Sequence, residues 1–177
     1  MRVKRYQFVF LVIALICGSC GCNVESLSPY KSLPTPLVDG FPYEIPEARN
    51  MRMWGGDNFE IIENDLTHYL VLEGIDSPKP DQDFFHESRR HMFRMIKGKK
   101  FRVVVLKYDD MKREIARVYL GDKNLNLEMV KAGMAWWDRT ECEGFEEIKA
   151  AEAKAREAKK GLWKLSNPVH PSEFESD

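Results

Sequence analysis

The chain has 177 residues, 44% of them hydrophobic, and a formal net charge of −1. That length suits one domain with appendages, built around a single core. The near-neutral balance excludes a polycation that holds nucleic acid by bulk charge, because phosphate-driven binding needs a basic face; a local patch remains compatible with it.

Residues 1–22 read as a targeting segment. Arg2, Lys4 and Arg5 precede an unbroken apolar run of nine residues from Phe8 to Ile16. A bilayer-spanning helix takes about 20 residues, so this run has the size of a signal-peptide core. The segment Cys17-Gly18-Ser19-Cys20-Gly21-Cys22 then resembles a bacterial lipoprotein cleavage site. Cys20, after the small Ser19, is the first candidate for lipidation and Cys22 the second. Cys17 stands where such boxes usually carry an aliphatic residue. The implied partner is a membrane reached through a lipid anchor, and the implied location is the cell envelope. An ordinary cleaved signal, with secretion, is the alternative. Without the three leader cations the chain has 24 basic and 28 acidic residues, a net charge of −4. Only Cys142 would remain in the folded part, so no internal disulfide framework is expected. Nothing in the sequence points to an oligomer.

Residues 23–50 read as a linker, since Pro29, Pro34, Pro36, Pro42 and Pro46 fall there. Proline lacks the amide donor and fixes its own φ, which suits an extended spacer. The domain is expected at 51–177. Phe59–Ile62 and Thr67–Leu72 read as strands around an Asn64-Asp65 turn. Phe84–Lys97 is helical, with Phe85, Arg89, Met92 and Ile96 at three- and four-residue steps. Phe101–Leu106 and Ile115–Leu120 are β-branched or apolar runs ended by Asp109-Asp110 and Gly121-Asp122. Leu125–Ala132 is a short helix stopped by Gly133. Phe145, Ile148, Ala151, Ala155, Ala158 and Leu162 mark a longer helix ending at Gly161. No internal repeat interrupts this order.

Gly74-Ile75-Asp76-Ser77-Pro78 resembles the G-[IV]-D-[TAS]-P stretch of the thermonuclease (staphylococcal-nuclease-like) family. Gly55-Gly56-Asp57, nineteen residues earlier, stands in the place of that family's D-G-D. Asp109–Ala116, Asn126–Ala135 and the tail from Ala155-Arg156 through Gly161-Leu162-Trp163 to Phe174 follow the family pattern in the same order. The resemblance covers most of residues 51–177. It implies an α+β fold, a five-stranded OB-type β-barrel packed with about three helices.

The resemblance also implies a chemistry, calcium-dependent hydrolysis of DNA or RNA. Calcium is a hard cation that takes oxygen ligands and polarises a phosphate, while arginines neutralise the charge that builds on it. Asp57 and Asp76 match the metal carboxylates, Ser77 the residue that lends its carbonyl, and Arg113 one of the two catalytic arginines. Three positions depart: Gly55 replaces an aspartate, Val71 the other arginine, and Lys79 the glutamate that handles water. A positioned base is worth about 10²–10⁴ in rate and one electrostatic donor about 10²–10³, so hydrolysis is expected to be weak or absent. An ammonium within about 5 Å of a divalent ion is repelled by several kcal/mol at an effective dielectric near 20. Weak or absent calcium binding is therefore expected, with Lys79 pairing with Asp57 and Asp76 in place of the ion as one route to it.

Three functions compete on the sequence alone. The first is a tethered domain with a degraded site that still binds nucleic acid or another partner. The second is a divergent calcium-dependent nuclease using Asp81 or Asp83 as the base, with Glu73 a further acid near the site. The third is a protein-interaction scaffold. His68, His86, His91 and His170 read as surface residues, Trp136-Trp137 as packing, and Lys97–Lys100 with Arg102 as a solvated strand entry.

Overall fold

The computed structural model describes residues 40–139 and 146–175. The leader, Cys20, most of the linker and Cys142 lie outside them. Nine strands, three α-helices and two 3₁₀ turns follow one another among the described residues. The strands are β1 (Phe41–Ile45), β2 (Met51–Met53), β3 (Asn58–Glu63), β4 (Leu66–Leu72), β5 (Ile75–Asp76), β6 (Phe101–Tyr108), β7 (Glu114–Leu120), β8 (Lys123–Asn124) and β9 (Trp136–Trp137). The helices are α1 (Phe85–Ile96), α2 (Leu125–Lys131) and α3 (Glu146–Glu157).

The α+β class and the three helices agree with the sequence; the closed five-stranded barrel does not. Seven strands form one mixed, open sheet in the order β1-β6-β7-β4-β3-β2, with β8 added to β7. Only β4 and β7 run parallel. The sheet stays open because β1 and β2, consecutive in the chain, sit at its two edges. Pro46 has no amide to continue a ladder, and the chain turns away: Ala48 N donates to Lys99 O at 3.2 Å instead. The linker also ends earlier than its prolines suggest, because residues 41–45 pair with β6. Pro42 is tolerated there because β1 is an edge strand.

Alternation along the strands buries Phe59, Ile61, Leu70, Leu72, Val103, Val105, Ala116 and Val118 against the helices. Met92 and Ile96 of α1, Leu125, Met129 and Val130 of α2, and Ile148 and Ala151 of α3 complete the core. Asn124 caps α2 by accepting from Asn126 N at 3.0 Å. Gly133 ends it with φ +67°, and a Cβ there would lie 2.2 Å from the Lys160 carbonyl oxygen. The reciprocal contact is as close: a Cβ on Gly161 (φ +51°) would meet Gly133 O at 2.1 Å. Two glycines thus let the end of α2 and the 3₁₀ turn Gly161–Lys164 touch backbone to backbone, where Leu162 N donates to Gly133 O at 2.9 Å.

Two histidine expectations change, while the lysines at the entry to β6 are exposed as expected. His68 is no surface residue: its Nδ1 lies 3.0 Å from Glu114 Oε1, and its ring stacks on Tyr43 at 4.6 Å. The Tyr43 hydroxyl donates to the other Glu114 oxygen, so this polar cluster ties β1, β4 and β7 together. His170 stands edge-on to Trp136 at 5.7 Å and accepts from Ser172 N. The lysine-rich entry to β6 is partly neutralised, with Lys100 Nζ 2.6 Å from Glu44.

A candidate metal and phosphate site

The site grows from the loop Trp54–Asp57, which meets β5 and the residues after it. Gly56 is needed where this loop crosses α1, because a Cβ would fall 1.9 Å from Ser88 Oγ. Ser88 is fixed in turn by donating to Met134 O at 2.6 Å.

Asp57 and Ser77 are then locked together. Ser77 N donates to Asp57 Oδ2 at 2.9 Å and Ser77 Oγ to Asp57 Oδ1 at 2.8 Å. The same hydroxyl oxygen accepts from the Gly56 and Asp57 amides at 3.0 and 3.2 Å. Every one of these groups is buried, so the hydroxyl is a structural part as well as a neighbour of the site. Burial pushes the Asp57 carboxyl up, against the Ser77 hydrogen bonds and the positive charge of Arg113, which favour its ionised form.

Asp76 is held beside it by the β5–β9 pair, in which it faces Trp136. Trp136 is buried and packs edge-on against Trp163 at 5.7 Å, so the tryptophan pair is packing, as its apolar setting implied. Burial, then the negative charges of Asp57 and Asp138, push the Asp76 carboxyl up to about 7, while Lys79 opposes them. Asp138 was not singled out in the sequence; only the pairing of β9 with β5 carries it into this field, with Asp138 N donating to Gly74 O at 3.0 Å.

Arg113 follows the Asp109 turn. Its Nε donates to Asp109 Oδ2 at 2.6 Å and its amide to Asp109 Oδ1 at 2.8 Å. That grip uses one edge of the guanidinium, and the side chain remains 39% exposed. The fork therefore keeps donors for a phosphate.

The three departures have distinct surroundings. Val71 is the direct cross-strand partner of Asn58, and such pairs are side-chain neighbours on one face. Asn58 Oδ1 is buried with no hydrogen-bond partner among the described residues. An arginine at 71 would offer it donors; valine cannot. Lys79 is exposed, and only its backbone is tied down, by donation to Gln82 Oε1 at 2.9 Å. No ion pair within 4.0 Å joins Lys79 to Asp57 or Asp76 among the described residues, although its positive charge still opposes the upward shift of Asp76. Gly55 lies close over Asp57, where a Cβ would be 2.9 Å from Oδ1. The suggested substitutes for the base are poorly placed: Asp81 and Asp83 are exposed on either side of buried Gln82. Glu73 is committed to Arg117 at 2.7 Å. Asn126 sets the entry to β5 by donating to Glu73 O at 2.9 Å and Ala116 O at 3.1 Å.

A family model described as staphylococcal nuclease homologue matches residues 69–165. The chain belongs to this family. It is 30% identical over 126 residues to an uncharacterized endonuclease of Escherichia coli, covering 70% of this chain and 81% of that one. It is 30% identical over 131 residues to a staphylococcal-like nuclease of Arabidopsis thaliana, covering 72% of this chain but 38% of the relative. A 38.1 kDa protein of Capnoides sempervirens is 28% identical over 137 residues, or 77% of this chain and 40% of that one. The chain thus spans well under half the length of the two plant relatives.

Calcium is the metal this family implies, and the residues present fit it in part. Asp57, Asp76 and the Ser77 carbonyl offer hard oxygen ligands. Burial first, and then the negative charges of Asp57 and Asp138, hold the Asp76 carboxyl up; a bound cation would relieve the second of these. No group of three His, Cys, Asp or Glu side chains forms a ready-made cage among the described residues, so water or substrate oxygens would fill the remaining positions. A calcium ion held there would supply positive charge to a phosphodiester.

Proposed function

We propose that this family member is an exported, lipid-anchored protein that binds nucleic acid and hydrolyses it far more slowly than a complete site would. The observation that carries this reading is the mixture at one site. The Asp57–Ser77 clamp, Asp76 and Arg113 are kept, while Val71 is the cross-strand partner of Asn58, whose Oδ1 is orphaned, and exposed Lys79 stands in place of a carboxylate. The chain's own groups can orient a phosphate through Arg113 and hold a cation through Asp57 and Asp76. No carboxylate at 79 is available to take a proton from water, and no guanidinium at 71 shares the transition-state charge. A divergent nuclease that relies on Asp81 or Asp83 is the weaker alternative, because both are exposed.

The test incubates the full chain with single-stranded DNA and RNA, with calcium or with chelator, beside Asp76→Ala. Calcium-dependent cleavage at rates typical of an intact nuclease, abolished in Asp76→Ala, would overturn the degraded-site reading. Absence of any strand binding would leave the scaffold. For the anchor, the support is the basic start, the apolar run and Ser19-Cys20. Fatty-acid labelling that persists unchanged in Cys20→Ser would remove Cys20 from the proposal.

A further inference from the structure

A second feature lies beside the site, in a groove of about 770 Å³ between β2 and α1. Its lining includes Arg52, Trp54, Pro80, His86, Arg89 and Arg90, and no carboxylate. In a chain with a slight acidic excess, three arginines lining one groove, Arg52 from β2 and Arg89 and Arg90 from α1, are a local inversion of charge. None of the three makes an ion pair within 4.0 Å among the described residues. Arg52 has Glu60 as its cross-strand neighbour and still does not pair with it. Its guanidinium lies instead over the Trp54 ring at 3.9 Å, while Arg89 lies over Phe85 at 5.5 Å. Trp54 remains 47% exposed, so part of its ring is open to a ligand.

The chain links this groove to the metal and phosphate site. Trp54 is three residues before Asp57, and Pro80 four after Asp76. At about 3.3–3.6 Å per residue, each tie is shorter than roughly 15 Å. The helix supplies its share at fixed spacing: Phe85, Arg89 and Phe93 recur every four residues, with His86 and Arg90 one step around.

The geometry points to a single-strand track: the groove holds the backbone of a single-stranded nucleic acid on Arg52, Arg89 and Arg90 while a base stacks on Trp54, delivering the strand to Asp57 and Asp76. Arginines that lack carboxylate partners bind phosphates without first breaking an ion pair, and an exposed indole accepts any base. This assignment rests on the nucleic-acid reading above and names where the strand lies outside the metal site.

The test uses the full chain in detergent with chelator present, so that cleavage plays no part. A short labelled strand, as DNA and as RNA, is titrated by fluorescence anisotropy at several salt concentrations. Trp54→Ala should weaken binding about 5- to 100-fold, and Trp54→Phe should keep most of the affinity. The Arg52→Ala/Arg89→Ala/Arg90→Ala variant should lower the log–log salt slope by about 2, near 0.7 per phosphate contact on a single strand. Strand binding that none of the groove variants changes would overturn the track and leave the slow-nuclease reading standing. Groove-dependent binding, with no metal-dependent cleavage even in the Lys79→Glu/Val71→Arg variant, would sink that reading and leave the track. Anionic phosphatidylglycerol vesicles form a second arm. If they bind through the same arginines while strands do not, the groove takes lipid headgroups and the strand assignment fails.

Discussion

Ser77→Ala removes one oxygen and strands three buried partners. The Gly56 and Asp57 amides lose their acceptor at 3.0 and 3.2 Å, and Asp57 Oδ1 loses its donor at 2.8 Å. A net hydrogen bond is worth about 1 kcal/mol and one to a charged group about 1.5–3 kcal/mol, and a buried group left unsatisfied costs more than the mean. Some relaxation of the loop offsets this, so the expected loss is about 2–4 kcal/mol. For a domain of this size that lowers Tm by roughly 6–16 °C. Thermal melts by circular dichroism, with urea titrations at 25 °C, give the number directly. Ser77→Thr is the control: it keeps the hydroxyl, and threonine is the residue the family resemblance puts there. If Ser77→Ala loses less than about 0.5 kcal/mol, or Ser77→Thr loses as much as alanine does, the hydroxyl is not the keystone of the loop.

Asp76 gives a pH dependence. Its folded carboxyl sits near 7 against an ordinary 3.8, so the native state holds the proton more tightly. The stability associated with that proton is full below about 4 and is lost as pH rises through 7; Asp76→Asn should flatten the curve, and a slope of the opposite sign would refute the shift. Gly133→Ala forces a Cβ onto Lys160 O at φ +67° and should cost at least about 3 kcal/mol in urea unfolding. Lys79→Glu with Val71→Arg should raise calcium-dependent cleavage of single-stranded DNA by at least about 10²-fold, with less than the product of the two single effects.

The motif-bearing segments were legible because each motif is short and local. The hairpin of β3 and β4, the helix α1 and the Gly133 stop all follow from turn residues and periodicity within a dozen positions. The frame of Asp57, Asp76, Ser77 and Arg113 came from the resemblance in motif order, with the β3–β4 hairpin lying between the two aspartates. What escaped depended on non-local pairing. Asp138 enters the site only because β9 pairs with β5. β1 was hidden by Pro42, which reads as linker until an edge strand accepts it. The arginine groove needs β2 beside α1, which brings Arg52 together with Arg89 and Arg90 from distant parts of the chain.

The three departures differ in how far they can be reversed. Lys79 is exposed and only its amide is engaged, so a glutamate there displaces nothing. Val71 faces an acceptor that lacks a donor, so an arginine there gains a hydrogen bond as well as a charge. Gly55 is different. Its Cβ would lie 2.9 Å from Asp57 Oδ1 and 3.2 Å from Asn58 Oδ1, before any carboxylate is added. Asp57 cannot move aside, because both of its oxygens are held by Ser77. A further negative charge would also add to those of Asp57 and Asp138, which together with burial already push Asp76 up to about 7. Gly55→Asp added to the Lys79→Glu/Val71→Arg background should therefore lower both Tm and calcium-dependent cleavage, even though it restores the family pattern at that position. A gain in cleavage from the third reversion, measured at saturating calcium, would show that the loop can relax around Asp57 and that the Ser77 clamp does not fix its geometry.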